Sequence, residues 1–166
     1  MRGRRQYSME LVRLTNIKSQ QVQEYSDIED EAKELIVFLD ENNGQFAGDH
    51  DTAYALAHCQ VNQDKPYKFF VVSEKCIEDK MFKHRVIINP EIIDMRKEYK
   101  RVFEGCMSFP YRKAKKIERF MFLTVRYEVP NIWGKLKTIE RELQWPASQI
   151  FQHELDHLHG KNIFNK

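Results

Sequence analysis

Gln152-His153-Glu154-Leu155-Asp156-His157-Leu158 is the stretch on which the reading of this chain turns. Pro146 ahead of it suits the first turn of a helix and Gly160 behind it suits a stop, so the spacing predicts a helix from near 146 to Gly160. On such a helix residues i and i+4 stand one above the other, and His153 and His157 can hold one metal ion from the same face. Glu154 lies beside them, where a carboxylate can move a proton to or from activated water. At about 100° per residue, Gln149, Gln152, Asp156 and His159 fall together as a wet face. Ala147, Ile150, Phe151, Leu155 and Leu158 form the apolar stripe. The histidines border that stripe next to Ile150, and Glu154 points into it. A carboxylate on a buried face costs several kcal/mol unless it is paired or neutralised, and burial raises its pKa toward the range useful for proton transfer.

Upstream, Ser26 with Glu29 three residues on reads as a capping box, and Ile28, Ala32, Leu35, Ile36 and Leu39 recur at helical spacing, predicting a helix over 27–43 that stops at Asn42-Asn43-Gly44. Runs rich in Val, Ile, Phe and Tyr predict strands near 67–73, 84–88, 98–104 and 119–129, with Asn89-Pro90 and Phe109-Pro110 as interruptions. The fold class is α+β: mostly antiparallel strands around a C-terminal helix that carries the histidines, with an N-terminal helix. The length of 166 residues fits one domain, 1–166. The 27 Lys and Arg nearly balance the 25 Asp and Glu, which excludes a strongly polyanionic or polycationic protein. No apolar run approaches the roughly 20 residues of a membrane span, and no apolar segment follows the basic Met1-Arg2-Gly3-Arg4-Arg5, so a soluble intracellular protein without a signal peptide is expected. Three cysteines do not make a disulfide framework. Met9 could serve as a start as well as Met1.

A catalytic site of this type needs three protein ligands. The nine residues after His157 offer none beyond His159, which points away, so the third ligand is expected upstream. Candidates are Cys59, Cys76, Cys106, His50, His58, His84 and any carboxylate. Cys106 stands out because Glu104-Gly105-Cys106-Met107-Ser108 follows a predicted strand and contains a glycine that lets backbone approach closely.

Glu104-Gly105-Cys106-Met107-Ser108 resembles the EGCLS motif of peptide deformylases, and residues 152–158 resemble their QHExDHL motif, in the same order. Ile88-Asn89-Pro90-Glu91-Ile92 and Gly160-Lys161 add to the likeness, which runs from about residue 28 onward. The resemblance implies a metal-dependent hydrolase that removes the formyl group from the N-terminal Met of nascent chains. Carried over, Cys106, His153 and His157 bind one divalent metal, usually Fe²⁺ in the family, with Zn²⁺, Ni²⁺ or Co²⁺ as substitutes. Glu154 is then the general base and acid. Gln60 and the backbone N–H of Met107 stabilise the oxyanion, and Arg119 pairs with Glu104 to brace the metal loop. The family's GxGxAAxQ motif corresponds to residues 53–60, where Leu56, Ala57 and Gln60 survive, both glycines are alanine (Ala53 and Ala55), and His58 and Cys59 precede Gln60. An added methyl there narrows the peptide cleft or changes backbone angles, while His58 and Cys59 are expected to pack. The Met side-chain pocket is expected around Ile150, Val102 and Tyr54, with Ala55 at the glycine position that lies along the peptide.

The expected partners are N-formyl-Met nascent peptides. A weak ribosome contact through Arg112-Lys113-Ala114-Lys115-Lys116 or the N-terminal arginines competes with a plain solvated loop. No DNA, no membrane and a monomer are expected, in the cytoplasm, or in the host cytoplasm if a phage encodes the chain. Many bacterial members have an extra C-terminal helix that docks at the ribosome, and the end at Lys166 leaves that mode in doubt. Two alternatives remain: a metallopeptidase or other N-acyl amide hydrolase, and a metal-binding protein without turnover.

Overall fold

The computed structural model describes residues 17–41, 54–106, 108–109 and 112–165. In chain order these form α1 (Glu29–Glu41), β1 (Ala55–Ala57), β2 (Phe69–Val72), α2 (Glu74–Glu78), β3 (Val86–Met95), β4 (Tyr99–Glu104), β5 (Lys115–Phe120), β6 (Phe122–Pro130), β7 (Leu136–Gln144) and α3 (Ala147–Leu158). Single 3-10 turns sit at Tyr25–Asp27 and His58–Gln60. Five strands make one antiparallel sheet in the order β1-β2-β3-β6-β7, and β4 pairs with β5 as a separate ribbon. This is the α+β architecture expected, with one helix on each side.

Phe69-Phe70-Val71-Val72 is apolar at every position because β2 is covered on both faces. Phe70 and Val72 join Ala55, Ala57 and Ile87 in a core closed by Phe151, Leu155 and Leu158 of α3. Phe69 and Val71 join Leu56 and Ile88 in a second core closed by Ala32, Leu35 and Leu39 of α1. The Phe70 and Phe151 rings meet edge to face at 5.7 Å, which fixes α3 over the middle of the sheet. Farther along, β6 alternates, with Leu123, Val125, Tyr127 and Val129 turned into the α3 core.

Four expectations need correction. The strand read as ending at 88 continues to Met95, because Asn89 (φ 48°) and Pro90 form a bulge where the β3–β6 register shifts. Asn89 replaces the lost ladder bonds with its side chain, accepting from the Val22 N–H and donating to the Val22 carbonyl. The run 119–129 is two strands joined at Met121. β7 was not foreseen. Finally, Ser26 does not cap α1: its hydroxyl donates to Glu24 at 3.4 Å, and Glu29 instead pairs with Lys33 at 2.7 Å. The expected stop at Asn42-Asn43-Gly44 lies outside the described residues.

His58 packs, as expected. Its ring stacks on Phe69 at 4.9 Å, and Nδ1 accepts the Tyr67 N–H at 2.9 Å. Burial lowers its pKa from 6.5 to about 4. The unfolded chain therefore binds a proton between pH 6.5 and 4 that the folded chain refuses, so stability is full above pH 6.5 and falls as pH drops toward 4. The two and a half units correspond to about 3 kcal/mol. Urea unfolding from pH 7 to 4 should show that loss, and His58→Asn, which keeps an acceptor near Nδ1, should flatten this part of the profile.

Candidate metal centre

α3 is stapled to the β5–β6 junction by three polar side chains, two of which, Gln152 and Asp156, were expected to face water. Gln152 Nε2 donates to the Phe120 carbonyl at 2.9 Å, and its Oε1 accepts the Phe120 N–H at 3.1 Å, so one amide pairs both backbone groups of that residue. Ser148 Oγ donates to the Met121 carbonyl at 3.0 Å. Asp156 Oδ2 accepts from Arg119 Nη1 at 2.7 Å. Gln152 is buried and Gln149 and Asp156 are half-buried, which corrects the wet-face reading: of the four only His159 is exposed. A helical wheel shows which residues share a direction, not that strands cover it.

This anchoring aims His153 and His157 at the loop after β4. Cys106 Sγ lies 3.3 Å from His157 Nε2, and the two Nε2 atoms are 3.0 Å apart. Cys106, His153 and His157 form the group of donors that could hold a metal ion among the described residues, all within 4.8 Å of one another. Cys59, Cys76, His58 and His84, the other candidates within the described residues, are not in this group; His50 lies outside the described residues.

The donor set fits a divalent ion. His153 Nδ1 faces Glu104 Oε2 at 2.8 Å and His157 Nδ1 faces the Lys161 carbonyl at 3.2 Å, so both rings carry their proton on Nδ1 and turn an Nε2 lone pair toward the thiol. On a tetrahedral ion with bonds of about 2.1 Å to nitrogen and 2.3 Å to sulfur, donors stand about 3.4 to 3.6 Å apart, close to the separations seen. The rings also favour one positive charge between them. Burial opposes charge on His153, but hydrogen bonds to Cys106 and Glu104 outweigh it and raise its proton affinity. Burial and the neighbouring His153 push His157 the other way.

Glu104 and Arg119 meet as expected, with Nε to Oε1 at 2.7 Å and Nη2 to Oε2 at 2.8 Å. Burial raises the Glu104 pKa, but the Arg119 and His153 hydrogen bonds overcome it and hold the carboxyl at about 2. Glu154 is the opposite case. It is buried on the apolar side of α3, its Oε2 has no hydrogen-bond partner, and burial lifts its pKa to about 7 against the pull of His153.

Gln60 is oriented from behind: its Oε1 accepts the Ala57 N–H at 2.8 Å, leaving Nε2 to face Ser108 Oγ at 3.0 Å and Cys106 Sγ at 3.9 Å. Met107 lies outside the described residues. Cys59 Sγ donates to the His157 carbonyl at 3.4 Å, and burial pushes its thiol up to about 12, leaving it inert. Of the residues expected around a side-chain pocket, Ala55 and Ile150 belong to the α3 core, Val102 is buried on β4, and Tyr54 is 38% exposed. Reading the chain alone missed Asp156 and Gln152; the hint available was a carboxylate one turn from a ligand histidine.

The chain matches the Polypeptide deformylase family over residues 10–166. It belongs to that family. A peptide deformylase from Borreliella burgdorferi is 33% identical over 148 residues, covering 89% of this chain and 78% of that one. Another, from Thermotoga neapolitana, is 40% identical over 80 residues, which span 48% of this chain and about half (46%) of the relative. The crystal structure of peptide deformylase from Thermotoga maritima superposes with a TM-score of 0.70 at 26% identity, covering 95% of this chain and 97% of that one. Membership implies a divalent metal in a deformylase fold, and the Cys106, His153 and His157 donors suit it.

The brace behind the donors has a measurable consequence. Arg119→Leu leaves Glu104 buried without its cation, which should cost about 3–5 kcal/mol in urea unfolding. It should also weaken metal retention against a chelator by roughly 10- to 100-fold, since Glu104, which orients His153, loses the guanidinium that holds it. Unchanged stability would mean that Glu104 reaches water.

Proposed function

We propose that this chain is a peptide deformylase that hydrolyses the formamide of N-terminal formyl-Met on nascent peptides. The observation that carries this reading is Glu154, a buried carboxylate with one unpartnered oxygen and a pKa of about 7, set beside a Cys-His-His donor set. A purely structural metal site has no use for such a group.

In this reading Cys106, His153 and His157 hold one divalent ion, native Fe²⁺, with Zn²⁺, Ni²⁺ or Co²⁺ able to replace it. The ion supplies Lewis acidity that makes water nucleophilic at neutral pH. Glu154 removes the proton from the attacking water and returns it to the amine as the C–N bond breaks, releasing formate and a free N-terminal Met. Gln60, with its carbonyl tied to Ala57, presents N–H to the oxygen that becomes negative, and the Met107 N–H is the second donor. Arg119 and Asp156 act at a distance by holding Glu104, which orients His153. Ile150, Val102 and Tyr54 line the site for the Met side chain, and the backbone at Ala55 runs along the peptide. The enzyme works as a monomer in the cytoplasm, where formylated chains emerge. The exposed lysines 113, 115 and 116 offer phosphate contacts for a weak ribosome encounter.

Formate release from formyl-Met-Ala, measured on anaerobically purified protein of known metal content, tests the reaction. Wild type should turn over, and Glu154→Gln should lose roughly 10²–10⁴-fold in kcat while keeping its metal. Turnover by Glu154→Gln at the wild-type rate, or none by fully metallated wild type, would sink the reading. Gln60→Leu should lose about 10²–10³-fold in kcat with a near-normal KM, as expected of a donor used in the transition state.

A further inference from the structure

After α3 the chain returns to the metal centre. Gly160, at φ 74°, turns it back, and the Lys161 carbonyl accepts from His157 Nδ1 at 3.2 Å. Residues 162–165 then close a tight turn. The Asn162 side chain accepts the Phe164 N–H at 2.8 Å, and Asn165 Oδ1 accepts the Asn162 N–H at 2.7 Å. Ile163, buried at 1% exposure, seats this turn, and Phe164 projects from it.

Phe164 meets the loop that carries Cys106. Its ring packs edge to face with Phe109, centroids 5.0 Å apart, and the Arg112 guanidinium covers both rings, 4.6 Å from Phe164 and 5.4 Å from Phe109. Both geometries attract, because the positive edge of one ring meets the negative face of the other and a cation is drawn to either face. Phe109 is tied in turn to the metal-ligand residue. Its N–H donates to the Cys106 carbonyl at 2.9 Å, and the Arg112 N–H donates to the Phe109 carbonyl at 3.1 Å. Between them, Ser108 Oγ accepts from Gln60 Nε2 at 3.0 Å.

The loop joins β4, which ends at Glu104, to β5, which begins at Lys115. The Glu104–Arg119 pair fixes it only where it begins. A ligand on a loop pinned at one end can swing about that end, and Phe164 supplies a second point on the far side of Cys106. The same short segment orients His157 through Lys161, so it restrains two of the three donors.

We propose that Phe164 is a positioning residue for the metal centre: through Phe109, and under the cover of Arg112, its ring holds the Cys106 loop in register with His157 and with Gln60. The metal arm of the test is independent of the reaction assigned to the site, and the kinetic arm rests on that reading.

The full chain is loaded with Co²⁺, whose thiolate absorption reports the bond to Cys106, and mixed with excess chelator. Phe164→Ala should release the ion about tenfold faster than wild type, while Phe164→Tyr, which keeps the ring, should stay within about twofold. Phe109→Ala should match Phe164→Ala, and the double variant should be no worse than either, as for two residues that act as one contact. At full metal loading, Phe164→Ala should lose roughly ten- to a hundredfold in kcat for formyl-Met-Ala with KM within about twofold, since a misplaced group slows the step more than it weakens binding. Thermal unfolding checks that each variant is folded. If Phe164→Ala is not, Phe164→Leu carries the test, with release a few-fold faster than wild type. Unchanged release from Phe164→Ala, equal loss in Phe164→Tyr, or losses that add in the double variant overturn the proposal. Wild type that holds its metal but frees no formate sinks the deformylase reading instead, and the release rates still decide the role of Phe164.

Discussion

Arg119 is 1% exposed, and its donors are divided between Glu104 at the end of β4 and Asp156 on α3. Taking these charges out of water costs several kcal/mol per ion, and their mutual attraction returns about as much only when every donor has an acceptor. The net gain in stability is therefore small, and the value of the cluster is geometric. Glu104 spends one oxygen on Arg119 Nε and shares the other between Arg119 Nη2 and His153 Nδ1, so the ring of His153 cannot rotate without losing its bond to a carboxylate that the bidentate pair holds in place. Among the described residues the β4–β5 ribbon shares no ladder with the five-stranded sheet. The guanidinium ties that ribbon to α3, and with it brings the Cys106 loop to the two histidines.

The parts of this arrangement legible in the chain were those carried by local periodicity. His153, Glu154 and His157 follow from helix geometry alone, and the burial of Glu154 follows from the apolar residues around it. Gln152 and Asp156 were misread because their partners, Phe120 and Arg119, lie more than thirty residues away. Nothing local distinguishes an amide facing water from one pairing a strand's backbone. β7 escaped for a related reason. It is an edge strand whose outer row, Leu136 excepted, is Thr138, Glu140, Glu142 and Gln144, and whose inner row includes Lys137 and Arg141, so neither row reads as apolar. At Pro90 the ordinary rule that proline stops a strand gave way to a bulge whose lost bonds Asn89 restores.

The altered stretch before Gln60 is less disruptive than its sequence implies. Ala55 and Ala57 lie in a regular antiparallel ladder, opposite Val72 and Phe70, and neither has a positive φ. Their methyls point into the α3 core rather than along the strand's exposed edge, so alanine is accommodated at 55 without strain and adds contact beneath the helix. Ala53 lies outside the described residues. His58 and Cys59 extend the same packing, one stacked on Phe69 and the other bonded to the His157 carbonyl. The consequence for Gln60 is that its own carbonyl is held by the Ala57 N–H, three residues back, so the turn that carries it is braced from within.

Glu104 and Glu154 then differ by environment alone. Both are almost fully buried and both neighbour His153, yet one is held at about 2 and the other lifted to about 7. The difference is Arg119, whose two hydrogen bonds reach Glu104, while Glu154 faces the apolar stripe of α3 with an oxygen unpartnered. A carboxylate at about 2 cannot give up or take a proton near neutrality and serves as a fixed anion for a ligand histidine. One at about 7 exchanges its proton readily at that pH and serves as an acid or a base. Exchanging the two roles would require moving the arginine, and the position of the arginine is fixed by Asp156 on the same helix that carries both histidines.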